Sequence, residues 1–413
     1  MTTICKMSEN TDATPTTNEQ KKEDVSSSLP SEYPHIEQWD ELEINPDILR
    51  GIYAVGFEEP SPIQKKAITP MLARRDTVAQ AQSGTGKTGC FSIGTLANID
   101  VSKKEVQAII LSPTRELSMQ TNKVISSLGT FMEGLKTQLL IGGTSTEDTI
   151  RDLKQNTPHI IVGCPGRTYD MLRRRRLSPN GLKLIVLDEA DEMLSQGFKE
   201  QVYNIFEMMP KEIQVALFSA TLPHDLISLT DKFMRNPIKT LMKAEMLTLE
   251  GISQYYVALE SDDLKYDCIK DIYSACSVAQ CIIYCNSVRR VQDLYDAMMA
   301  DNFPVCQIHS SMDKEERTQA YKQFKAGTQR VLISSNVTAR GIDVQAVSTV
   351  INFDLPRCVH TYLHRIGRSG RWGRKGVGIN FITRRDMRQL KEIENHYHTQ
   401  ITEMPMNWNK TLG

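Results

Sequence analysis

Apolar residues along this chain come in short runs, separated by longer stretches in which apolar positions recur every three or four residues. Between about 40 and 243 the runs at 107–112, 159–164, 182–188 and 215–220 have uniformly apolar centres, the pattern of strands buried on both faces of a parallel sheet. From about 253 to 405 the alternation restarts, with strand candidates at 280–286, 330–335, 348–354 and 377–383. Strands alternating with amphipathic helices predict two tandem doubly wound α/β domains, placed at 35–241 and 253–413. The segment 242–252 between them is read as a linker. Its ten residues 242–251 reach on the order of 30 Å at about 3.3–3.6 Å per residue, enough to tether two domains that rotate. Residues 1–34 are rich in Thr, Ser, Asn, Glu and Lys and lack apolar periodicity, so disorder is expected there.

Composition narrows the class. A chain of 413 residues that is 40% hydrophobic and 24% charged is an ordinary globular protein of about two domains. The net charge of -1 means that a nucleic-acid partner has to be gripped locally and not by bulk charge. No apolar run approaches the roughly 20 residues of a membrane span, and no signal-peptide core opens the chain. Nine cysteines form no C-x-x-C pair, and Cys281 and Cys285 share one face of a candidate strand, which reads as core thiols of a reducing cytosol and not as zinc ligands. His360 and His364 are four apart, but no H-E-x-x-H pattern surrounds them.

Two segments carry recognisable chemistry. Ala81-Gln-Ser-Gly-Thr-Gly-Lys-Thr88 lies between a strand expected at 76–81 and a helix starting at Lys87. Gly84 and Gly86 let backbone amides face a phosphate, and the helix N-terminus adds a positive field. Lys87 would pair with β and γ phosphates, and Thr88 would coordinate Mg²⁺. Ala81 stands where the strict phosphate-loop pattern has glycine. A plain Gly-rich turn would explain the glycines but not the Lys-Thr pair. Farther on, the apolar run ending at 187 leads into Asp188-Glu-Ala-Asp191. Ligands of open α/β sheets gather beyond the carboxyl ends of strands, where Asp188 would hold Mg²⁺ and Glu189 would orient or deprotonate a water. An acidic helix start is the bland alternative, and it leaves the phosphate loop unexplained.

Those segments and others, in order, resemble the DEAD-box RNA helicases, above all the translation initiation factor 4A group. The likeness runs over roughly 36–409. It rests on Gly56-Phe-Glu-Glu-Pro-Ser-Pro-Ile-Gln64, the 81–88 loop, Pro113-Thr-Arg-Glu-Leu117, Gly142-Gly143, Pro165-Gly-Arg167, Asp188-Glu-Ala-Asp191, Ser219-Ala-Thr221, Ala339-Arg-Gly-Ile-Asp343 and His364-Arg-Ile-Gly-Arg-Ser-Gly-Arg371. The resemblance implies two RecA-like domains, ATP and Mg²⁺ as cofactors, and a monomer that binds RNA across both domains. A HEAT-repeat scaffold is an implied partner, no membrane is, and the cytoplasm is the implied location, with the nucleus left open.

The resemblance also assigns roles. Gln64 would read the adenine edge and Phe57 would stack on the base, with Trp39 packing beside it and Ala81, Gln82, Ser83, Gly84, Thr85 and Gly86 cradling the phosphates. Asp343 would bind the ribose. Arg368 and Arg371 would be arginine fingers, supplied only when the domains close. Ser219, Thr221 and His364 would couple the γ-phosphate site to the interdomain contact. RNA would meet Thr114, Arg115, Gly143, Gly166, Arg167, Asp170 and Arg173 on the first domain and Asn286, Arg317 and Ser335 on the second, through phosphates and 2′-hydroxyls and hence without sequence preference. The run 173–176 of four arginines otherwise reads as a solvated face or a nuclear-import signal.

The chain departs from the family pattern at several positions. Trp39 stands for a phenylalanine, Cys164 for the threonine before Pro165, and Ser118 for an alanine. Ser310 and Ser311 stand for Gly-Asp, Lys314 for a glutamine, and Ser335-Asn336 for Thr-Asp. None touches the phosphate chemistry, and several fall on the expected RNA side, so RNA affinity or its coupling to hydrolysis is expected below the family norm. The reading is therefore an ATP-dependent RNA helicase of the local-unwinding type, set in translation initiation. Its rival is an ATP-gated RNA clamp of the exon-junction kind. An inactive decoy is argued against by intact Lys87, Glu189, Arg368 and Arg371. A kinase or GTPase would leave Gln64 and the distant arginines unexplained.

Overall fold

The computed structural model describes residues 33–82, 84–195, 197–241, 251–275, 280–336, 346–369 and 376–405. The disorder expected of 1–34 falls almost wholly outside the described residues, as do linker residues 242–250, the 339–343 motif with Asp343, Ser83 and Arg371.

Two seven-stranded sheets organise the described chain, and the strand pairings within them are parallel. The first holds β1 (Thr77–Gln80), β2 (Ala108–Leu111), β3 (Thr137–Leu140), β4 (Ile160–Gly163), β5 (Leu184–Asp188), β6 (Gln214–Ser219) and β7 (Ile238–Leu241), in spatial order β3-β4-β2-β5-β6-β1-β7. The second holds β8 (Ile252–Ala258), β9 (Cys281–Tyr284), β10 (Val305–Ile308), β11 (Val331–Ser334), β12 (Thr349–Asn352), β13 (Gly376–Ile382) and β14 (Thr402–Glu403), in order β10-β11-β9-β12-β13-β8-β14. Ile252, given above to the linker, already opens β8.

Central strands are buried at every position, as in Ala-Ile-Ile-Leu of β2 and Leu-Ile-Val-Leu-Asp of β5, because helices cover both faces. Each sheet therefore has an apolar layer on either side. Among the described residues, no helix is long and apolar enough to cross a membrane.

Topology brings the chemistry together. Strands β5, β6 and β1 are neighbours, and their register pairs Asp188 with Phe218 and Gln80 with Ser219. Their carboxyl ends therefore end level with one another. The segments that follow them, 81–88, 189–191 and 220–221, meet although they lie far apart in sequence.

Candidate functional site

The phosphate loop is a helix start with an unusually close neighbour. Gly86 caps the helix Lys87–Ala97 in the left-handed region at φ 97°. A Cβ there would sit 2.6 Å from Ser61 Oγ and 2.9 Å from Gln64 Nε2, and one on Gly89 would sit 2.7 Å from Gln64 Nε2 and 2.9 Å from Phe57 Cε2. Glycine at both positions lets the helix Pro62–Leu72 press its N-terminus against the loop. Gln64, itself buried, ties the two together: Ser61 N–H donates to its Oε1 (2.7 Å) and its Nε2 donates to Gly86 O (3.1 Å). Phe57 stacks on Trp39 at 6.4 Å between centroids. Trp39 has no exposed surface, so any effect on a nucleotide passes through Phe57. Ala81 N–H donates to Ser219 O (3.0 Å), and Thr85 Oγ1 donates to Gln82 O (2.7 Å), which fixes the loop to the end of β6 and to itself.

Four acids, Asp188, Glu189, Asp191 and Glu192, are each less than 9% exposed beside this loop. Lys87 reaches them, its Nζ donating to Ala81 O (2.9 Å) and lying 3.5 Å from Glu189 Oε1. Burial first, and the Glu189 carboxylate second, push the Asp188 carboxyl up to about 7. Glu189 sits at φ 51°, a left-handed conformation that costs a non-glycine residue about 1–2 kcal/mol and is typical of functional turns. Two adjacent buried carboxylates against one lysine offer hard oxygens that suit Mg²⁺, and Thr88 follows that lysine at the helix start.

The second domain enters at Asp191. Asp191 N–H lies 3.4 Å from Ser219 Oγ, and Asp191 Oδ2 accepts from Thr221 Oγ1 (2.6 Å). The same Oδ2 lies 3.2 Å from Nε2 of His364, whose Nδ1 is 4.0 Å from Glu189 Oε2. His364 rides on the helix Val359–Ile366 of the other sheet and is 1% exposed. Arg368 follows it, 3% exposed, with Nε donating to His364 O (3.1 Å). Ser219, Thr221 and His364 are thus one network joined through Asp191. A carboxylate from the first sheet is held there by an imidazole from the second.

Sequence reasoning passed over Arg365, which is fully buried. Its guanidinium donates to Asn352 Oδ1 (3.0 Å), Asp354 O (2.7 Å), Asn286 Oδ1 (2.8 Å) and Asn336 Oδ1 (from Nε, 2.9 Å), and Nη2 bonds Asn336 as well. Burial lowers its ionisation to about 10. This one side chain locks the ends of β9, β11 and β12 together. Asn286 and Asn336 are thereby committed to the second domain's frame.

The residues expected to meet RNA are placed as follows. Thr114 caps the helix Arg115–Leu128, accepting from Leu117 N–H (3.3 Å), and the helix Pro165–Arg173 starts nearby with Gly166 open to space. Arg167 braces the Gly142-Gly143 turn, donating to Thr144 O (2.8 Å) and Thr149 Oγ1 (3.3 Å), and Gly143 is left-handed at φ 75°. Asp170 accepts from Arg173 (3.3 Å) and Arg174 (2.8 Å), pairs that hold its carboxyl below the usual range despite some burial. Ser335 is buried at the end of β11. Two departures meet: Ser118 Oγ, which donates to Thr114 O (3.0 Å), lies 3.6 Å from Cys164 Sγ, so a hydroxyl missing at 164 is replaced by one beside it. Burial pushes that thiol up to about 11, leaving it unreactive. Ser310 is exposed, and the Lys314 side chain lies outside the described residues. Arg317 makes a different contact from the one expected: its Nη2 donates to Glu116 Oε1 (3.0 Å), and the pair, 18% and 20% exposed, spans the two sheets.

Comparison with known proteins matches two family models, the DEAD/DEAH box helicase over residues 61–229 and the helicase conserved C-terminal domain over 264–373. The "ATP-dependent RNA helicase eIF4A" of Pyricularia oryzae is 50% identical over 372 residues, covering 90% of this chain and 93% of its own. The "Eukaryotic initiation factor 4A" of Caenorhabditis elegans is 51% identical over 372 residues, 90% and 92% of the two chains. Among solved structures, S. cerevisiae Dbp5 bound to RNA and ADP BeF3 superposes with a TM-score of 0.85 at 34% identity, over 91% of this chain and 98% of that one.

Proposed function

The chain belongs to the DEAD-box RNA helicases, in the eIF4A group, and from that premise we propose how its own residues divide the work. It is an ATP-dependent RNA helicase that hydrolyses ATP. We place that activity in translation initiation. The clamp alternative is not favoured by relatives named for eIF4A.

ATP docks with its phosphates over Gly84, Thr85 and Gly86, where the helix N-terminus supplies amides and a positive field. Lys87 exchanges the Ala81 carbonyl for the β and γ phosphates. Thr88 and Asp188 would hold Mg²⁺, which would neutralise charge at the phosphates. Glu189 takes the attacking water, with Lys87 beside one of its carboxylate oxygens. Gln64 and Phe57 meet the base, Trp39 backs Phe57, and Gln82 and Ser83 complete the loop. Asp343 serves the ribose. Phosphoryl transfer spreads charge over the γ oxygens, and Arg368 and Arg371 answer it from the second domain; an arginine so placed contributes about 10³–10⁵ in rate.

RNA lies over the helix N-termini at Thr114-Arg115 and Pro165-Gly166, with Gly143, Arg173 and Ser335 along its backbone, Asn286 supporting that face from within the second domain's frame, and Arg167 and Asp170 shaping the surface. ATP and RNA each bridge the two sheets, so each raises the other's affinity through a shared closed state. Arg317 acts as an interdomain strut to Glu116 in that state. A HEAT-repeat scaffold would act by holding the same two domains, and the cytoplasm is the proposed location.

One observation carries this mechanism: Asp191, among the catalytic carboxylates, has His364 of the other domain as a partner at 3.2 Å. The high TM-score to an RNA-bound relative, taken over both domains at once, supports reading this as the closed arrangement. The test is steady-state ATPase against RNA concentration, with release of a labelled duplex strand followed in the same tube. RNA-stimulated hydrolysis with ATP-dependent strand release is expected. ATPase indifferent to RNA, or strand release that persists in Lys87→Ala, would reject the mechanism.

A further inference from the structure

A groove along the open edge of the second sheet takes no part in this machinery. Strand β10 is that edge: β11 pairs with one side and, among the described residues, no strand pairs with the other. Pro304 and Ile308 turn their carbonyls to β11, accepting from Val331 N–H (3.3 Å) and Ser335 N–H (3.4 Å). Backbone groups alternate in direction along a paired strand, so the N–H and C=O of Gln307 face outward. The helices Val288–Ala300 and Lys314–Lys325 flank the strand and leave a cavity of about 450 Å³ beside it, running from Gln329 at one end to His309 at the other.

The groove is polar and unsatisfied. His309 is 6% exposed, yet among the described residues neither ring nitrogen has a hydrogen-bond partner, and the Oε1 atoms of Gln307 and Gln329 are buried without donors. Gln307 Nε2 does have a partner, Gln292 Oε1 at 3.2 Å. Orphaned buried acceptors are rare because each forfeits its hydration, so a cluster of them beside a cavity marks a place where donors arrive from outside. Glu316 is the one charged side chain among the described residues of the lining, and the adjacent Arg317 is engaged by Glu116.

We infer that this groove receives an extended peptide segment of a partner protein, which adds a strand to β10 and sets a basic side chain against Glu316. Strand addition supplies the donors and acceptors that the outward face of Gln307 needs, and alternate side chains enter the cavity. The four residues of β10 offer about 13 Å of edge at roughly 3.3 Å per residue. A nucleic acid fits poorly, since its phosphates would meet a carboxylate and no free cation among the described lining residues. Strand addition here goes beyond the helicase mechanism and does not depend on it.

The test selects a phage-displayed library of random linear peptides against the full chain, in parallel with Gln307→Pro and Glu316→Arg variants. Proline removes the outward N–H and is tolerated on an edge strand; the Glu316 change lies on a helix surface. Peptides enriched on wild type are expected to carry Lys or Arg, to protect the Gln307 amide from hydrogen exchange, and to bind each variant about tenfold more weakly. RNA-stimulated ATPase is expected to stay at the wild-type level in both variants. Peptides that bind all three proteins equally, no enrichment over Gln307→Pro, or protection confined to another element overturns the inference. So does photo-crosslinking of a 4-thiouridine oligonucleotide to 307–309, or loss of RNA-stimulated ATPase in both variants, either of which assigns the groove to RNA.

Discussion

The pair Glu116–Arg317 separates two accounts of the RNA face. Arg317 was expected to touch RNA, and here it bonds Glu116 across the domains at 3.0 Å. Two unit charges at that distance attract by about 5 kcal/mol at an effective dielectric near 20. Each partner is about one-fifth exposed, and holding two long side chains costs entropy and hydration, so the net worth of such a pair falls to about 1 kcal/mol. If closure carries that pair, breaking it lowers the closed population about fivefold at fixed ligand, and RNA needed for half-maximal ATPase rises by the same factor. Glu116→Gln and Arg317→Gln should each show that shift, and the double variant should be no worse than either. The exchange Glu116→Arg with Arg317→Glu should restore half-saturation to within about twofold of wild type. The reasoning fails if Arg317→Gln alone weakens RNA by an order of magnitude, Glu116→Gln does nothing, and the exchange rescues nothing. Arg317 would then be an RNA contact and its bond to Glu116 incidental.

The same geometry sets three further expectations. Arg365→Ala strands acceptors on Asn286, Asn336, Asn352 and Asp354 and should cost about 3–5 kcal/mol of stability, read as a lowered urea midpoint, with Arg365→Lys recovering little because lysine cannot reproduce the fork. Asp188 titrates near 7 in the free chain against about 3.9 unfolded, so its contribution to stability is fully present below about pH 4 and is lost as pH rises through 7. Metal binding needs the ionised form, so calorimetric affinity for Mg²⁺·nucleotide should climb between about pH 6 and 7 and level off above. Gln64→Glu keeps an acceptor for Ser61 N–H but turns a buried carboxylate oxygen toward Gly86 O; it should raise KM for ATP, erase preference over GTP and lower the melting temperature, and Gln64→Ala should lower that preference as well.

How much of this was legible beforehand follows the physics of burial. Runs at 107–112, 182–188 and 348–354 became β2, β5 and β12, shortened by two or three residues, because a strand covered on both faces must be apolar throughout. Edge strands β3, β7, β10 and β14 were not picked out; Thr-Gln-Leu-Leu and Ile-Lys-Thr-Leu mix polar and apolar residues, since an edge has one neighbour and a wetter face. The glycine turn into the helix at Lys87 and the acids ending β5 were readable because their signals are local. Arg365 was not, because an arginine-rich segment does not say which guanidinium folds inward. Nor was the bond between Glu116 and Arg317, 201 residues apart, which only tertiary packing creates. The contact of Ser118 with Cys164 likewise turns two separate departures into one compensated pair.

The proposed mechanism has hydrolysis turn on a pocket completed from the second domain, and Arg368 tests that most directly. Lysine at 368 keeps the charge and loses the planar fork. With ATP and RNA both saturating, Arg368→Lys should hydrolyse ATP about 10²–10³-fold more slowly than wild type while still binding both ligands. A rate within about twofold of wild type, with ligand binding intact, would mean that the second domain supplies no essential charge to the reaction.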